Sequence, residues 1–299
     1  MKKVVITGVS TGIGYSSAKI LCNSGYFVYG SVRKEKDGKK LSSELGDNFQ
    51  PLVFDVTDSK AISESVEKVQ SDLKPGECLA GLVNNAGIAL GGPVTLIDTE
   101  VFRKQFDVNF FGRIDVTKAC LPLLGASKDS SNQGKIINIS SISGKRSHPF
   151  MAPYSASKFA LEAFSDSLRR ELLIYGVDVI LIEPGPIKTA IWDKAPDPED
   201  NEFIGSDYEP SLERFYKLFI QMGKKGFDSD IIGNRVKSIL QNPKPPIRHV
   251  ITPNRLVNYT LPGILPTRIY DKLVGKGLGL LKNSLFRSGN QIRNLDRMN

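Results

Sequence analysis

The chain is predicted to adopt an α/β fold, in which helices flank both faces of a doubly wound parallel sheet. Two observations predict it. Through the first 190 residues, short apolar runs alternate with amphipathic stretches, and the runs are continuously apolar rather than alternating in polarity. Continuous runs indicate strands that are covered on both faces, as in parallel sheets. Strands that alternate with helices are joined by right-handed crossovers, so helices should lie on both sides of the sheet.

Six apolar runs are the predicted strands. They are Val4–Thr7, Phe27–Val32, Leu52–Phe54, Leu79–Val83, Ile136–Ser140 and Val177–Ile182. Between the third and fourth runs, apolar residues recur at helical spacing and form one stripe of a helix. They are Ile62, Val66, Val69 and Leu73. Asp58 precedes this stripe and is the predicted N-cap.

The pattern changes after Pro184. Residues 184–210 contain five prolines and show no period, which predicts a long irregular loop of the kind that often covers a binding site. Helical patterning resumes over 211–222 and 229–240. A short apolar run at His249–Thr252 is a candidate last strand.

Composition limits the chemistry that the chain can perform. Its 299 residues, 40% hydrophobic and 24% charged, are ordinary for a globular protein. Cys22, Cys78 and Cys120 have no CxxC spacing, so neither a disulfide framework nor a thiolate metal site is expected. Unpaired cysteines suit a reducing compartment, and we expect a cytoplasmic location. The only two histidines, His148 and His249, offer little for a zinc site or a histidine-based triad. We therefore predict no metal.

Positive charge is concentrated at the C-terminal end. The residues from Leu261 onward contain seven Lys or Arg and two Asp, and so contribute +5 of the net charge of +8. This distribution predicts a basic tail rather than a nucleic-acid-binding body. No run of about 18 apolar residues occurs, so no transmembrane helix is expected. The Leu-rich, basic tail could contact an anionic membrane surface, or pack on its own domain or on a partner subunit.

A glycine-rich turn, TGVSTGIG at 7–14, follows the first predicted strand. Its glycines are spaced G-x-x-x-G-x-G. Glycines let the backbone turn tightly and approach a pyrophosphate at the N-terminus of the next helix. Alone, the spacing also fits a tight turn without a ligand, but the strand–turn–helix context indicates a dinucleotide site. The predicted cofactor contacts are Gly8, Ser10, Thr11, Gly12, Ile13 and Gly14.

The end of the second strand favours NADP as cofactor. An acidic residue there would bind the ribose 2′-hydroxyl of NAD, but Val32 is followed by Arg33 and Lys34. The Arg33 guanidinium could instead pair with the 2′-phosphate of NADP. The alternative is a basic surface turn without a ligand, and NAD stays possible.

Further motifs follow in order along the chain. They are Asp55-Val56, Asn84-Asn85-Ala86-Gly87, Asn109 in DVNFFG, Ser141 in NISSISG, Tyr154 with Lys158 in a YxxxK pattern, and Pro184-Gly185 followed by Ile187 and Thr189. Together with the glycine turn, they resemble the short-chain dehydrogenase/reductase family over residues 1 to about 190. The resemblance implies a Rossmann-type doubly wound parallel sheet in a single domain.

The resemblance also implies an enzyme that transfers a hydride between a nicotinamide and a carbonyl or secondary alcohol. It implies four catalytic residues, Asn109, Ser141, Tyr154 and Lys158. Further cofactor contacts come from Asp55, Val56, Asn85, Ala86, Gly87, Tyr154, Lys158, Pro184, Gly185, Ile187 and Thr189. Ser141 is expected to hold the substrate oxygen, and Asn109 to bind a water that links Lys158 to solvent. Ser140 is expected to end the strand.

Tyr154 is the expected acid/base, although tyrosine and lysine both titrate near pH ~10 when unperturbed. Four residues apart on a helix, Tyr154 and Lys158 share one face, and a nearby cation lowers a phenol's pKa. A shift from ~10 to ~7 needs roughly 4 kcal/mol of differential stabilisation. Without the other motifs, this pair would more often be two solvated neighbours.

Aromatic residues between 187 and 222 suggest a bulky apolar substrate. They are Trp192, Phe203, Tyr208, Phe215, Tyr216 and Phe219. Trp192 is the expected substrate contact beside Ser141 and Tyr154. Phe215 and Phe219, four residues apart, could equally pack their own helix.

The segment Leu265–Asp271 (LP-x-R-x-x-D) is similar to the C-terminal extension of the retinol- and hydroxysteroid-dehydrogenase-like branch. This likeness implies a steroid- or retinoid-like substrate and a homo-oligomer. Two alternatives stay open: a reductase of 3-oxoacyl thioesters or other small carbonyls, and a non-catalytic cofactor-sensing protein. The expected boundaries are a catalytic domain at 1–252, with the substrate loop and helices at about 186–225, and a C-terminal extension at 253–299.

Overall fold

A computed structural model of the chain describes residues 1–189 and 202–282. A seven-stranded parallel sheet lies at its centre, in the order β3-β2-β1-β4-β5-β6-β9. Its strands are β1 Lys3–Ile6, β2 Phe27–Val32, β3 Phe49–Val53, β4 Gly81–Asn84, β5 Lys135–Ile139, β6 Asp178–Pro184 and β9 Arg248–Ile251. Two short strands, β7 Ile187–Lys188 and β8 Phe227–Asp228, pair with each other beside it.

Helices connect the strands and continue beyond the last one. They are α1 Gly12–Cys22, α2 Glu35–Leu45, α3 Ser59–Ser71, α4 Thr99–Phe106, α5 Gly112–Cys120, α6 Ala152–Glu171, α7 Glu209–Lys224, α8 Asp230–Gln241, α9 Leu261–Ile264 and α10 Thr267–Leu278. The described residues include two π-helical turns, at Asp107–Phe111 before α5 and at Leu256–Thr260 before α9. Within the described ranges, no helix is long and apolar enough to cross a membrane.

Both faces of the sheet are covered by apolar clusters, as the continuous apolar runs predict. On one face, Val4 packs with residues of α1 and α8 such as Leu21 and Ile232. On the other face, the adjacent Val5 packs with residues of α3 and α5, including Cys120. Successive side chains of a strand point to opposite faces, so each run must be apolar throughout. The predicted fold class is confirmed, and its single domain is of the Rossmann type.

Several predicted element boundaries differ from the observed ones by two or three residues. β3 begins at Phe49, whose ring lies against Gly30 of the neighbouring strand. β4 begins only at Gly81, because the amide of Leu79 bonds to Leu123 O rather than within the sheet. The Asp58 cap is confirmed, since its carboxylate accepts from the amide of Ala61 at 3.0 Å.

The described parts of the segment after Pro184, residues 184–189 and 202–210, contain regular elements that its proline content does not predict. Within 184–210, β6 extends through Pro184, β7 forms at residues 187 and 188, and α7 already begins at Glu209. The end of the described chain is helical, and α10 packs on α7 through Val274 and Leu278. These helices lie above the strand ends where the predicted site residues gather.

The order of the sheet reverses direction between β1 and β4. In an open parallel sheet, the carboxyl ends of the two strands at such a point diverge and leave a cleft for a ligand. The glycine turn follows β1 and the Asn84–Gly87 motif includes the end of β4. The fold therefore places both predicted cofactor motifs at this cleft.

Candidate active site

The glycine turn is fixed to the end of β4 by four hydrogen bonds. Thr7 Oγ1 accepts from the amides of Asn85 and Ala86 at 2.9 and 3.0 Å. In return, Asn85 Nδ2 donates to the carbonyl oxygens of Thr7 and Gly8, both at 2.9 Å. Asn85 and Ala86 thus hold the turn as well as line the cleft. Thr7 was not among the predicted site residues, and its place at the end of an apolar run was the available signal.

The turn has the shape that a pyrophosphate requires. Gly8 has a φ of +71°, and a Cβ there would lie 2.9 Å from Ala86 Cα. A Cβ on Gly14 would overlap Gly8 O. Thr11, which precedes α1, leaves the first turn of the helix without a side-chain cap, so backbone N–H groups stay available to an anion. These residues fit a dinucleotide.

The adenine side of the cleft contains the other predicted contacts. Arg33 is exposed and directly follows β2, where a 2′-phosphate would lie. Asp55 lies two residues after the end of β3 and accepts from the Thr57 amide at 3.0 Å, while Val56 is buried beside it. Ser31 was not among the predicted site residues. Its Oγ accepts from the Gly8 amide at 2.9 Å and so helps to hold the glycine turn.

The segment after β6 crosses towards the glycine turn. The Gly185 amide donates to Ile251 O at 2.8 Å, which places Pro184 and Gly185 beside β9. Ile187 is buried in β7. Thr189 reaches the glycine turn, since a Cβ on Gly12 would lie 3.1 Å from its Cγ2. Residues separated by more than 170 positions therefore border one cleft.

The predicted catalytic residues meet at the ends of β5 and α6. Ser141 follows β5 and Tyr154 lies in the first turn of α6, where the Ser141 hydroxyl is near enough to the Tyr154 hydroxyl to lower its pKa. Lys158, one turn further along α6, places Nζ 5.6 Å from the centre of the Tyr154 ring. Its ammonium donates to the carbonyl oxygen of Ile139 at 2.9 Å. Ser140 was expected to end the strand, but β5 ends one residue earlier, at Ile139.

A buried arginine completes this group and was not predicted. Arg113 of α5 is 1% exposed and donates to four backbone carbonyls. They are those of Asn84 at 3.0 Å, Ile139 at 2.8 Å, Asn85 at 3.3 Å and Ala86 at 2.8 Å. Its recorded acceptors are all carbonyl oxygens, so the positive charge is not neutralised by a salt bridge there. The available signal was its spacing of four from Asn109 on a helix.

Burial and the charge of Arg113 set the protonation of the site. Burial raises the pKa of Tyr154, while the Ser141 hydrogen bond and the Arg113 charge lower it. Burial and the Arg113 charge hold the pKa of Lys158 well below its usual range, against the raising effect of Glu162. Burial lowers the pKa of Arg113 itself to about 10. Arg113 is therefore a cation that acts on Tyr154, and the sequence had pointed only to Lys158.

Asn109 lies in the π-helical turn Asp107–Phe111 and is fully buried. Its Oδ1 accepts from the Ile88 amide at 2.8 Å, and its Nδ2 donates to Ile88 O at 3.0 Å and Ser157 Oγ at 3.3 Å. Its side chain thus anchors the segment after β4 and contacts the residue next to Lys158. Single π-turns often occur at functional sites. A Cβ on Gly87 would lie 3.1 Å from Asn109 Oδ1, so Gly87 allows this close approach.

Tyr154 packs against an apolar cluster. Its buried members are Phe150, Met151, Phe203, Leu212, Phe215 and Leu278. Tyr154, Tyr208, Tyr216, Phe219 and Val274 pack against them. Phe215 and Phe219 stack at 4.9 Å, and the Phe150 ring packs edge-on against Phe215 at 5.6 Å. The pair thus packs along α7 and also belongs to the cluster at the site. Trp192 lies outside the described residues.

Comparison with known proteins identifies this arrangement. The family profile described as short chain dehydrogenase matches residues 2–200. The chain belongs to the short-chain dehydrogenase family. This short-chain dehydrogenase is therefore an oxidoreductase that acts on CH–OH or C=O groups, as the motifs imply.

Similar proteins cover nearly the whole of this short-chain dehydrogenase. It is 40% identical over 279 residues to an NADPH-dependent 3-dehydrocapnine reductase of Ornithobacterium rhinotracheale, covering 93% of this chain and 98% of the relative. It is 34% identical over 252 residues to a 3-ketodihydrosphingosine reductase of Bacteroides thetaiotaomicron, covering 84% and 87%. A solved short-chain dehydrogenase from Streptomyces avermitilis matches with a TM-score of 0.72 and 26% identity, covering 92% and 96%.

Proposed function

We propose that this protein is an NADPH-dependent reductase that converts the ketone of a long-chain, lipophilic substrate into a secondary alcohol. The observation that carries the proposal is the apolar cluster around Tyr154, which α7, α10 and the loop before α6 build together. Such a cluster favours an apolar chain next to the reacting carbonyl over a charged or strongly hydrated substrate. The cofactor is NADP, in keeping with the exposed Arg33 after β2 and with the NADPH-dependent relative.

The names of the two relatives support the same substrate class. 3-Dehydrocapnine and 3-ketodihydrosphingosine each denote a long-chain amine with a ketone at carbon 3. The likeness of Leu265–Asp271 to steroid and retinol dehydrogenases also pointed to a lipophilic substrate. Between these classes we favour a flexible long chain, because the relatives named for such substrates cover 84% or more of this chain.

The reaction needs a hydride on the carbonyl carbon and a proton on its oxygen. Bound NADPH supplies the hydride. Tyr154 donates the proton from Oη, and Ser141 Oγ, which lies beside that hydroxyl, holds the same substrate oxygen. The fixed charge of Arg113 stabilises the tyrosinate that forms. Solvent then returns a proton to Tyr154, and Asn109 and Lys158 are the proposed route.

A cavity of about 270 Å³ supports a path for the chain of the substrate. It lies between the loop before α6 and helix α10. Ser147, Pro149, Tyr270, Val274 and Leu280 are among its lining residues. Pro149 precedes Phe150, and Val274 belongs to the cluster that contains Tyr154. We therefore assign α10, in the C-terminal extension, a part in substrate binding.

We also propose a cytoplasmic homo-oligomer. Cys22, Cys78 and Cys120 are free thiols, which fits a reducing compartment. Phe111 and Phe159 are exposed by 52% and 45% at the start of α5 and on α6, which suits a contact between subunits. Sedimentation of the full chain tests the assembly, and a monomer at all concentrations would contradict it.

A substrate screen tests the proposed function. The full chain is assayed by loss of NADPH absorbance with 3-ketodihydrosphingosine, a steroid ketone, retinal, a 3-oxoacyl thioester and a short water-soluble ketone, and again with NADH. We expect kcat/KM for the long-chain amino ketone to exceed that for the short ketone by about 100-fold. Preference for the thioester, or no turnover of any carbonyl despite tight NADPH binding, would overturn the proposal.

A further inference from the structure

The C-terminal helices expose an unusual amount of apolar surface. Of the 19 exposed large hydrophobic side chains in the described part of the chain, seven lie between residues 256 and 281. We call them the C-terminal apolar face: Leu256, Val257, Leu261, Ile264, Ile269, Leu273 and Leu281. Ile264 is 71% exposed and Leu256 is 60% exposed. Such a concentration marks an interaction surface, whereas single exposed apolar residues are normal.

Helix α10 has two different apolar sides. At about 100° per residue, Ile269, Leu273 and Lys276 fall within an arc of about 60°. Val274 and Leu278 lie on the opposite side and pack into the cluster that contains Tyr154. The outer pair is exposed by 50% and 57%, so packing of α10 on its own domain leaves this side uncovered.

Positive charges accompany the C-terminal apolar face. Arg255, Arg268, Lys272, Lys276 and Lys282 are all exposed, and Asp271 is the one exposed acidic residue between positions 255 and 282. Lys272 and Lys276 lie beside the Ile269–Leu273 pair, along one side of it on α10. A helix with an apolar strip bordered by cations lies in the interface of an anionic bilayer, with its apolar side chains buried at the level of the headgroups.

We propose that the C-terminal apolar face binds the surface of anionic membranes. A second copy of the chain fits less well, because a self-complementary contact would bring the same cations together. Residues 283–299 are also a less suitable partner for this face. They carry three Arg and one Asp, so they would bring further positive charge to a surface that is already positively charged. A negatively charged lipid surface complements both the charge and the apolar side chains.

The position of α10 joins this surface to the active site. Its inner side contributes Val274 and Leu278 to the cluster at Tyr154, and its outer side carries Ile269 and Leu273. A membrane on the outer side would present a lipophilic substrate next to the cavity along α10. Binding to membranes does not depend on which carbonyl is reduced, so the two proposals can fail separately.

Vesicle flotation of the full chain tests the proposal. Vesicles of phosphatidylcholine alone are compared with vesicles that contain 40% phosphatidylglycerol, at low and at high salt. We expect binding to the anionic vesicles only, reduced by salt. The double variant Lys272→Glu/Lys276→Glu should bind at least about 25-fold more weakly, since each cation near such a surface contributes about fivefold. Ile269→Ser/Leu273→Ser should also bind more weakly.

Matched controls separate a local surface from general charge attraction. Lys60→Glu/Lys68→Glu on α3 changes the net charge equally, and Leu173→Ser removes a 73%-exposed side chain after α6. Both should float like the wild type, and every variant should reduce a short water-soluble ketone at the wild-type rate. Equal flotation of the α10 and α3 charge variants would overturn the proposal. So would loss of self-association, without loss of flotation, in Ile269→Ser/Leu273→Ser.

Discussion

Arg113 and Lys158 donate hydrogen bonds to the same carbonyl oxygen, that of Ile139, at 2.8 and 2.9 Å. Two cations that share one acceptor repel each other. Together with burial, this repulsion keeps the pKa of Lys158 well below its usual range, although Glu162 acts against it. Arg113 therefore provides a positive charge at neutral pH, whereas the charge of Lys158 responds to pH and to its partners.

Replacement of Arg113 by Met should move the alkaline limit of ketone reduction to higher pH. The reaction needs protonated Tyr154, so the rate falls as pH rises through the pKa of that phenol. The Arg113 charge lowers this pKa, and its loss raises it. We also expect a loss of about 1–3 kcal/mol in the free energy of unfolding, because four carbonyls lose their donor. The pH profile of kcat/KM and urea unfolding measure the two effects.

Arg113→Lys is the control for this prediction, since it keeps a positive charge and loses most of the hydrogen bonds. It should be destabilised like Arg113→Met but keep an alkaline limit closer to that of the wild type. If both variants lose stability and neither shifts the profile, Arg113 has only a structural role.

Removal of the Tyr154 hydroxyl should abolish most turnover and leave cofactor binding largely intact. Tyr154→Phe keeps the ring in the apolar cluster but removes the group that protonates the ketone. A loss of about 10³-fold in kcat is expected for a missing acid. Single-turnover reduction and NADPH fluorescence titration measure turnover and binding separately. Tyr175→Phe, beyond the end of α6, should behave like the wild type, and wild-type turnover by Tyr154→Phe would refute the role of its hydroxyl.

The strands and the motif residues at their ends could be predicted from sequence, because they depend on local pattern. Continuous apolar runs identified the strands. Tyr154 and Lys158 were assigned from the resemblance of the ordered motifs to the short-chain dehydrogenase/reductase family, since their spacing of four alone would more often mark two solvated neighbours. Arg113 could not be found in this way. An arginine within a helix normally indicates a solvated face, and only the meeting of β4, β5 and α5 makes this one buried.

The backbone conformation of Phe150 also could not be predicted from the sequence pattern. Phe150 has a φ of +66°, which a bulky side chain rarely adopts, and nothing local indicates it. Its ring packs with Phe215 and Tyr208 of a distant segment, and its carbonyl accepts from the Gly92 amide at 2.7 Å. Tertiary contacts thus impose this conformation four residues before Tyr154.

Loss of the Arg33 guanidinium should weaken NADPH binding much more than NADH binding. The two cofactors differ only in the 2′-phosphate, and Arg33 is the exposed cation directly after β2. A charge-assisted hydrogen bond contributes about 1.5–3 kcal/mol, so Arg33→Ala should raise the Kd for NADPH by about 10- to 100-fold. Lys39→Ala on α2 controls for general positive charge. Equal losses of affinity for both cofactors would remove the case for a phosphate contact.

A methyl group at Gly14 should disrupt the cofactor turn. A Cβ there would overlap Gly8 O and Asn85 Nδ2, which form one of the four hydrogen bonds that fix the turn to β4. Gly14→Ala should therefore lower the melting temperature and weaken NADPH binding together. Gly263→Ala in α9 is the matched control, since nothing lies within 4 Å of its Cβ position. If Gly14→Ala binds NADPH like the control, the turn does not form the cofactor cradle.

Truncation of Leu278 should weaken the reduction of long-chain ketones more than that of short ones. Leu278 is 7% exposed on the inner side of α10, in the apolar cluster that contains Tyr154. Leu278→Ala should raise KM for a long-chain ketone about tenfold, the effect of a few lost methylene contacts in an apolar pocket. Because a short ketone does not reach α10, its kcat/KM should stay close to that of the wild type.

The stability of Leu278→Ala must be measured beside its kinetics, because a buried Leu→Ala change costs about 2–5 kcal/mol where the surroundings cannot collapse. Leu173→Ala, at a position 73% exposed, controls for the loss of an apolar side chain without loss of packing. Assays without vesicles keep membrane binding out of the comparison. If Leu278→Ala loses activity equally towards long and short ketones, α10 supports the fold alone. A selective loss with the long ketone makes the C-terminal extension part of the substrate site.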